Sequence, residues 1–228
     1  MKIKWHSHSI VEIENKEGKR LIIDPFFTGN PKAEISAKDI NVDYVLVTHA
    51  HNDHIGDAQS ICEANDALLV TNVEIADFFD KRGLKVHGLQ PGGGYNFDDF
   101  YISMTPAIHG STYYDAETQE QITLGIAGGF VIEADDKVIY HAGDTALYSD
   151  MRLIGSMWPI DIAFLPIGDN YTMGPKQALN AALLLQPKLV VPIHYNTFDL
   201  IQQDADEFVK KLKPIEGKVL GVGEEIIL

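Results

Sequence analysis

Tyr44-Val45-Leu46-Val47-Thr48-His49-Ala50-His51-Asn52-Asp53-His54 is the stretch on which the reading of this chain turns. Its apolar first half predicts a buried strand. Three imidazoles and a carboxylate follow within six residues. Neutral imidazole is the commonest protein ligand for transition metals, and His with Asp suits zinc and its neighbours. In extended backbone His49 and His51 project to one side, while Asp53 and His54 come from the turn beyond. One loop of this kind can serve two adjacent cations. A polar loop without a task draws instead on Ser, Asn and Gly.

Working outward, three more strand ends deliver residues able to bind metal. Tyr101 to Ile108 closes on His109, Val138-Ile139-Tyr140-His141-Ala142-Gly143 runs into Asp144, and Leu189-Val190-Val191-Pro192-Ile193 ends on His194. Sheets hold strand ends rigidly, as a coordination shell requires. Between these points the pattern alternates strands and helices. Strands are predicted at 10–14, 20–23, 44–48, 68–70, 85–89, 100–105, 125–133, 137–141, 162–166 and 188–193. Helices are predicted at 55–64, from Asn72 to Gly83, at 175–186 and at 204–212. Asn72 and Asp204 are favoured N-caps. Residues 109–121, with Tyr113-Tyr114, form the longest stretch without a clear pattern, a length that often marks a lid or pocket wall. Such a chain fits an α/β or α+β layered domain, and no linker or repeat divides residues 1–228.

The spacing His49-x-His51-x-Asp53-His54, followed by His109, Asp144 and His194, resembles the metallo-β-lactamase superfamily from about Ile3 to Leu228. Finer features resemble its uncharacterised metal-dependent hydrolases, related to lactonase-like proteins that cleave ascorbate 6-phosphate. They are Trp5-His6-Ser7-His8-Ser9, Ile23-Asp24-Pro25, Tyr140 to Thr145, Pro166 to Pro175, and Pro192-Ile193-His194-Tyr195. The resemblance implies a four-layer αββα sandwich with the site at one edge of two sheets. It also implies one metal on His49, His51 and His109, a second on Asp53, His54 and His194, and Asp144 bridging them. Enzymes of the superfamily that open β-lactams often carry another ligand, commonly Cys, at the bridging position. Asp144 there points instead to esters, lactones and phosphodiesters. Within the closer group a Gly-His-Ser is usual near the start, and here Ser7 replaces the glycine.

Two dications sharing a water lower its pKa from ~15.7 towards ~7, making a bridging hydroxide available at neutral pH. Asp53 is then both ligand and the group that orients that hydroxide and relays its proton. A purely structural zinc site closes four ligands around one ion and favours Cys; seven O and N ligands over two ions leave positions open. The cofactors expected are two divalent ions, zinc first, with Mn, Ni or Fe as alternatives. His8, Tyr113, Thr172 and Met173 are expected to line the substrate pocket, and His141 to support a ligand from behind. His6 is expected to point away, His87 to be solvated, and Trp5 and Trp158 to sit in the core.

Composition narrows the partners. The formal net charge is −15, and no basic patch offers phosphates the Lys and Arg a nucleic-acid surface needs. A small-molecule substrate is expected and nucleic acid is not. No run approaches the ~18 apolar residues of a membrane span, and the first residues lack a signal-peptide core. The single cysteine, Cys62, suits a reducing compartment, so a cytoplasmic protein is expected; monomer and homo-oligomer are both open. The leading reading is a dinuclear metal-dependent hydrolase of a small ester, lactone or phosphoester. Its rivals are a metal- or metabolite-binding sensor with little turnover and a nuclease of the same superfamily. A diiron oxygen reductase would need a flavodoxin domain for which no residues remain.

Overall fold

The computed structural model describes residues 1–116 and 118–228. Strands β1 (Lys2–Trp5), β2 (Val11–Glu14) and β3 (Arg20–Ile23) form an antiparallel meander. The chain then continues in parallel through β4 (Tyr44–Leu46), β5 (Leu68–Asn72) and β6 (Val86–Leu89). Helices α1 (Asn52–Ile55) and α2 (Ala58–Asn65) join β4 to β5, and α3 (Val73–Asp80) joins β5 to β6. Then come β7 (Gly94–Asn96), β8 (Tyr101–Pro106), the separate hairpin β9 (Thr112–Asp115) and β10 (Glu120–Thr123), β11 (Gly128–Ala134) and β12 (Lys137–His141). Helix α4 (Met151–Met157), β13 (Ile162–Pro166), α5 (Pro175–Leu185), β14 (Leu189–Ile193), α6 (Ala205–Lys210) and β15 (Glu216–Gly217) follow. Strand β16 (Glu225–Ile227) returns to pair with β1.

Two seven-stranded sheets result, ordered β16-β1-β2-β3-β4-β5-β6 and β15-β14-β13-β12-β11-β8-β7. Successive side chains on a strand face opposite ways, and the apolar runs of the first sheet feed two cores. Leu21, Ile23, Leu46 and Val70 join the cluster shared with the second sheet. Their neighbours Ile22, Val45 and Leu69 pack instead with Ile61 of α2 and Ile75 and Phe79 of α3. Each such fully buried side chain contributes about 1.5–3 kcal/mol. On the far side α5 lays Ala178, Ala181 and Leu185 against the second sheet, beside Phe208 of α6. Helices therefore cover the outer faces of two facing sheets, a mixed α/β sandwich.

Several sequence expectations change, and the short strands β1, β7, β15 and β16 were not anticipated. The helix expected at 55–64 is two helices, because the chain reverses at Gly56 (φ +43°). A Cβ there would lie 2.5 Å from the Pro25 carbonyl oxygen. Asp57 then accepts bonds from the Phe27 and Thr28 amides at 2.9 and 2.8 Å, pinning this turn to the loop after β3. The stretch 109–121 holds β9 and the start of β10, which pair antiparallel and whose partly and largely exposed strands lack clean alternation. Helix α4, unanticipated, begins at Asp150, whose side chain makes no capping bond.

Candidate metal centre

All four metal-capable strand ends arrive at the same edge of the sandwich. His49 and His51 lie in the loop after β4, and Asp53 and His54 lie in the first turn of α1. His109 follows β8, Asp144 follows β12 and His194 follows β14. Gly143 (φ +60°) turns the chain ahead of Asp144, where a Cβ would sit 2.6 Å from the Gly128 carbonyl oxygen. Only a residue without a side chain fits that approach.

Two groups of donor atoms form. His51 Nδ1 lies 3.0 Å from His49 Nε2 and 3.2 Å from His109 Nε2, so three ring nitrogens face one point. Asp53, His54 and His194 gather with His8 in the second group. Asp53 Oδ2 is 3.8 Å from His194 Nε2 and 3.9 Å from His54 Nε2. Asp144 stands between the groups: its Oδ2 is 3.1 Å from His194 Nε2, 3.3 Å from His54 Nε2, 3.5 Å from His109 Nε2 and 4.0 Å from His49 Nε2.

These residues fit a cation. His54 Nε2, Asp144 Oδ1 and both ring nitrogens of His194 are buried without a hydrogen-bond partner of good geometry among the described residues. Such atoms cost about 1–3 kcal/mol each when left unpaired. Protonation equilibria point the same way. Burial presses His54 and His194 towards neutrality, yet the Asp144 carboxylate beside them prevails, raising His54 well above its usual value and His194 to about 9. Burial likewise opposes ionisation of Asp53, but His54, His194 and His8 hold its carboxyl below the usual range. The cluster calls for positive charge, which a divalent ion supplies.

A hydrogen-bond chain sets which nitrogens face inward. Asp24, at the end of β3, accepts from the Thr48 amide (2.8 Å), from Thr48 Oγ1 (2.7 Å) and from His54 Nδ1 (2.7 Å). Thr48 Oγ1, having donated its proton to Asp24, accepts from His49 Nδ1 at 2.9 Å. Nε2 of both His49 and His54 is thereby left as a lone pair directed at the site. Sequence reading assigned Asp24 no role, although it follows a strand end as Asp144 and His194 do.

His8 and His141 are also buried. His8 Nε2 is 3.1 Å from Asp53 Oδ2, and its Nδ1 is 2.9 Å from Thr197 Oγ1. Burial, with the neighbouring His194, lowers His8 to about 4, so the ring is neutral at pH 7. A carboxylate only accepts, so Nε2 carries the proton and Nδ1 accepts from Thr197. Ser7 and His8 both have positive φ, +92° and +50°. Ser7 thus holds a conformation that suits glycine, and Asn30 Nδ2 donates to its Oγ at 2.9 Å. His141 accepts the Gly143 amide at Nδ1 and donates from Nε2 to the Ser9 carbonyl, supporting Asp144 through the backbone. His6 instead bonds Glu12 at 2.8 Å.

The cavity over the centre holds about 370 Å³. His51, Asp53, His109 and His194 bring the donor groups to its lining, which Tyr171, Phe198 and Leu200 complete. The residues expected to line it lie elsewhere. His8 is not among the lining; its ring is tilted against that of His194, with centroids 4.0 Å apart. Tyr113 packs edge-on to Phe78 at 5.5 Å, near α3. Met173 is fully buried in the inner core, and Thr172 Oγ1 bonds the Met173 carbonyl. The chemical signal for the true wall was weak, because isolated aromatics in loops read as packing.

A two-sheet sandwich carrying His and Asp donors at its strand ends defines a metalloprotein of the α/β class. The sequence matches the β-lactamase superfamily domain over residues 2–194. It is 50% identical over 228 residues to a UPF0173 metal-dependent hydrolase of Anoxybacillus flavithermus, with all of both chains covered. Among solved structures it is similar to Igni18, a metallo hydrolase of the archaeon Ignicoccus hospitalis, with 37% identity, a TM-score of 0.89 and 99% and 97% of the two chains covered. It also resembles an isothiocyanate hydrolase from Delia radicum gut bacteria, at 25% identity and a TM-score of 0.77 over 100% and 99% of the chains. The chain belongs to the metallo-β-lactamase superfamily, among its UPF0173 metal-dependent hydrolases.

Proposed function

We propose that this protein is a dinuclear metal-dependent hydrolase of a small ester, lactone or phosphoester, with zinc the favoured metal. The observation that carries this reading is the position of Asp144, whose Oδ2 lies within 3.1–4.0 Å of nitrogens from both donor groups. One ion would rest on His49, His51 and His109, the other on Asp53, His54 and His194, with Asp144 between. Two divalent ions, when bound, lower the pKa of a shared water towards ~7 and polarise the substrate oxygen. Asp53 lines the cavity and is ionised, so it can accept a hydrogen bond from the attacking water and orient it, and we assign it the relay of that water's proton. The bond from His8 holds that carboxylate in place. His51 and His109, half-buried, bound the space in which the substrate carbonyl or phosphorus must sit. The single cysteine, Cys62, is buried and can form no internal disulfide, which supports a cytoplasmic setting.

Elemental analysis of the purified protein is expected to give two metal ions per chain. The metal-loaded protein should turn over a member of a panel of aryl esters, lactones and phosphodiesters, to which the structural relative adds an isothiocyanate. His49→Ala and Asp53→Ala should each lower kcat/KM by about a thousandfold or more, the scale of several kcal/mol of lost transition-state stabilisation. Full activity in either variant, or one ion per chain at full activity, overturns the dinuclear mechanism.

A further inference from the structure

We propose that the portion of the substrate beyond the scissile bond is uncharged and apolar, and that Tyr171, Phe198 and Leu200 are the surface that selects it. The inference rests on the hydrolase reading above and narrows it.

Among the described residues no lysine or arginine lines the cavity. Its metal-facing side offers charge only where the reacting bond must lie. The rest of the lining, its apolar wall, is a phenol ring, a phenyl ring and an isobutyl group. These three side chains are 54%, 38% and 64% exposed, so the protein leaves apolar surface uncovered directly over its metal centre. Exposed apolar surface rimming a polar site marks a binding surface. The wall is also anchored to the centre: the Phe198 ring lies 5.7 Å from His8 and 6.3 Å from Phe26.

Charge decides against a remote anion. A negative group at the reacting centre would meet cations, whereas one carried along the wall would meet none. It would be desolvated there with no cation to compensate, on a chain of net charge −15. Asp199 is not part of the lining, so the wall does not favour a cation either. A phosphate carried away from the reacting bond is therefore a poor fit. The volume, near the lower end of the ~300–1,000 Å³ usual for ligand pockets, limits the tail to a short chain or one ring.

Phenyl hexanoate and monophenyl adipate share the scissile bond and leaving group and differ only in a terminal methyl or carboxylate. With metal-loaded protein, kcat/KM should favour the hexanoate by about 30-fold or more, because the shared methylenes cancel and only the adipate must bring a carboxylate out of water against an uncharged wall. Leu200→Arg should shrink that ratio at least about tenfold by improving the adipate, because an added cation pairs with the carboxylate. Phe198→Ala should raise KM for the hexanoate more than it lowers kcat. Calorimetric titration with hexanophenone and 6-oxo-6-phenylhexanoate, which cannot be hydrolysed, reads the same selection without turnover. If no ester is cleaved but the uncharged ketone binds more tightly, the hydrolase reading fails and the selection stands. Equal or better binding or cleavage of the carboxylate-tailed compounds, or a ratio unmoved by Leu200→Arg, overturns the proposal.

Discussion

A single carboxylate, Asp24, determines how two histidines present themselves. It binds His54 Nδ1 directly and His49 Nδ1 through Thr48 Oγ1, so both rings turn Nε2 towards the centre. Its own φ of +48° is one that Asn also tolerates, which makes Asp24→Asn a clean probe. Removing the charge while keeping the shape should weaken metal binding by about 10–100-fold, measured by competition with a chromogenic chelator. Unchanged affinity in a variant of normal circular dichroism would show that the tautomers are set elsewhere. The metal-capable histidines from His49 to His54 were legible from local density alone. Asp24 was not, since its partner His54 lies 30 residues away and only folding brings the two strand ends together.

At the scale of elements, the site depends on strands held in register. Asp161, just before β13, accepts from the Val138 amide at 2.9 Å and from Lys188 Nζ at 2.7 Å, tying β12 to β14 across β13. Burial works against its ionisation, but Lys188 and the Val138 amide prevail and lower its pKa. A carboxyl depressed in the folded state adds stability above its unfolded pKa of ~3.9, and this is lost as pH falls through the lower folded value. Asp161→Asn should therefore cost about 1–2 kcal/mol at neutral pH. The gap in Tm between wild type and variant should close as pH falls below about 4 and passes through the lowered folded pKa. A gap that widens on acidification would contradict this account. Strands β3 and β13 could be read at their true boundaries, because fully apolar runs flanked by Pro or Asp are unambiguous. The helix break at Gly56 could not, because it is imposed by the Pro25 backbone from another loop.

Over the whole molecule, two facing sheets carry their helices outside and bring residues from the entire length of the chain to one edge. Metal bound only by the native state stabilises it by about 4 kcal/mol at a free concentration a thousand times Kd. For a chain of this size that is roughly 8–16 °C in Tm. Calorimetric scans of metal-loaded and chelated protein should differ by such an amount, and coincident transitions would mean that the site does not contribute to holding the fold. Sequence by itself determined the donor set and its placement at strand ends, because strand periodicity and the crowding of His49 to His54 are local properties. Tertiary structure alone decided which nitrogens face the shared centre, that His8 braces Asp53, and that Tyr171, Phe198 and Leu200 line the cavity. The reason is distance along the chain: His8 reaches Thr197 across 189 residues, and no local pattern encodes a contact between the two ends of a fold.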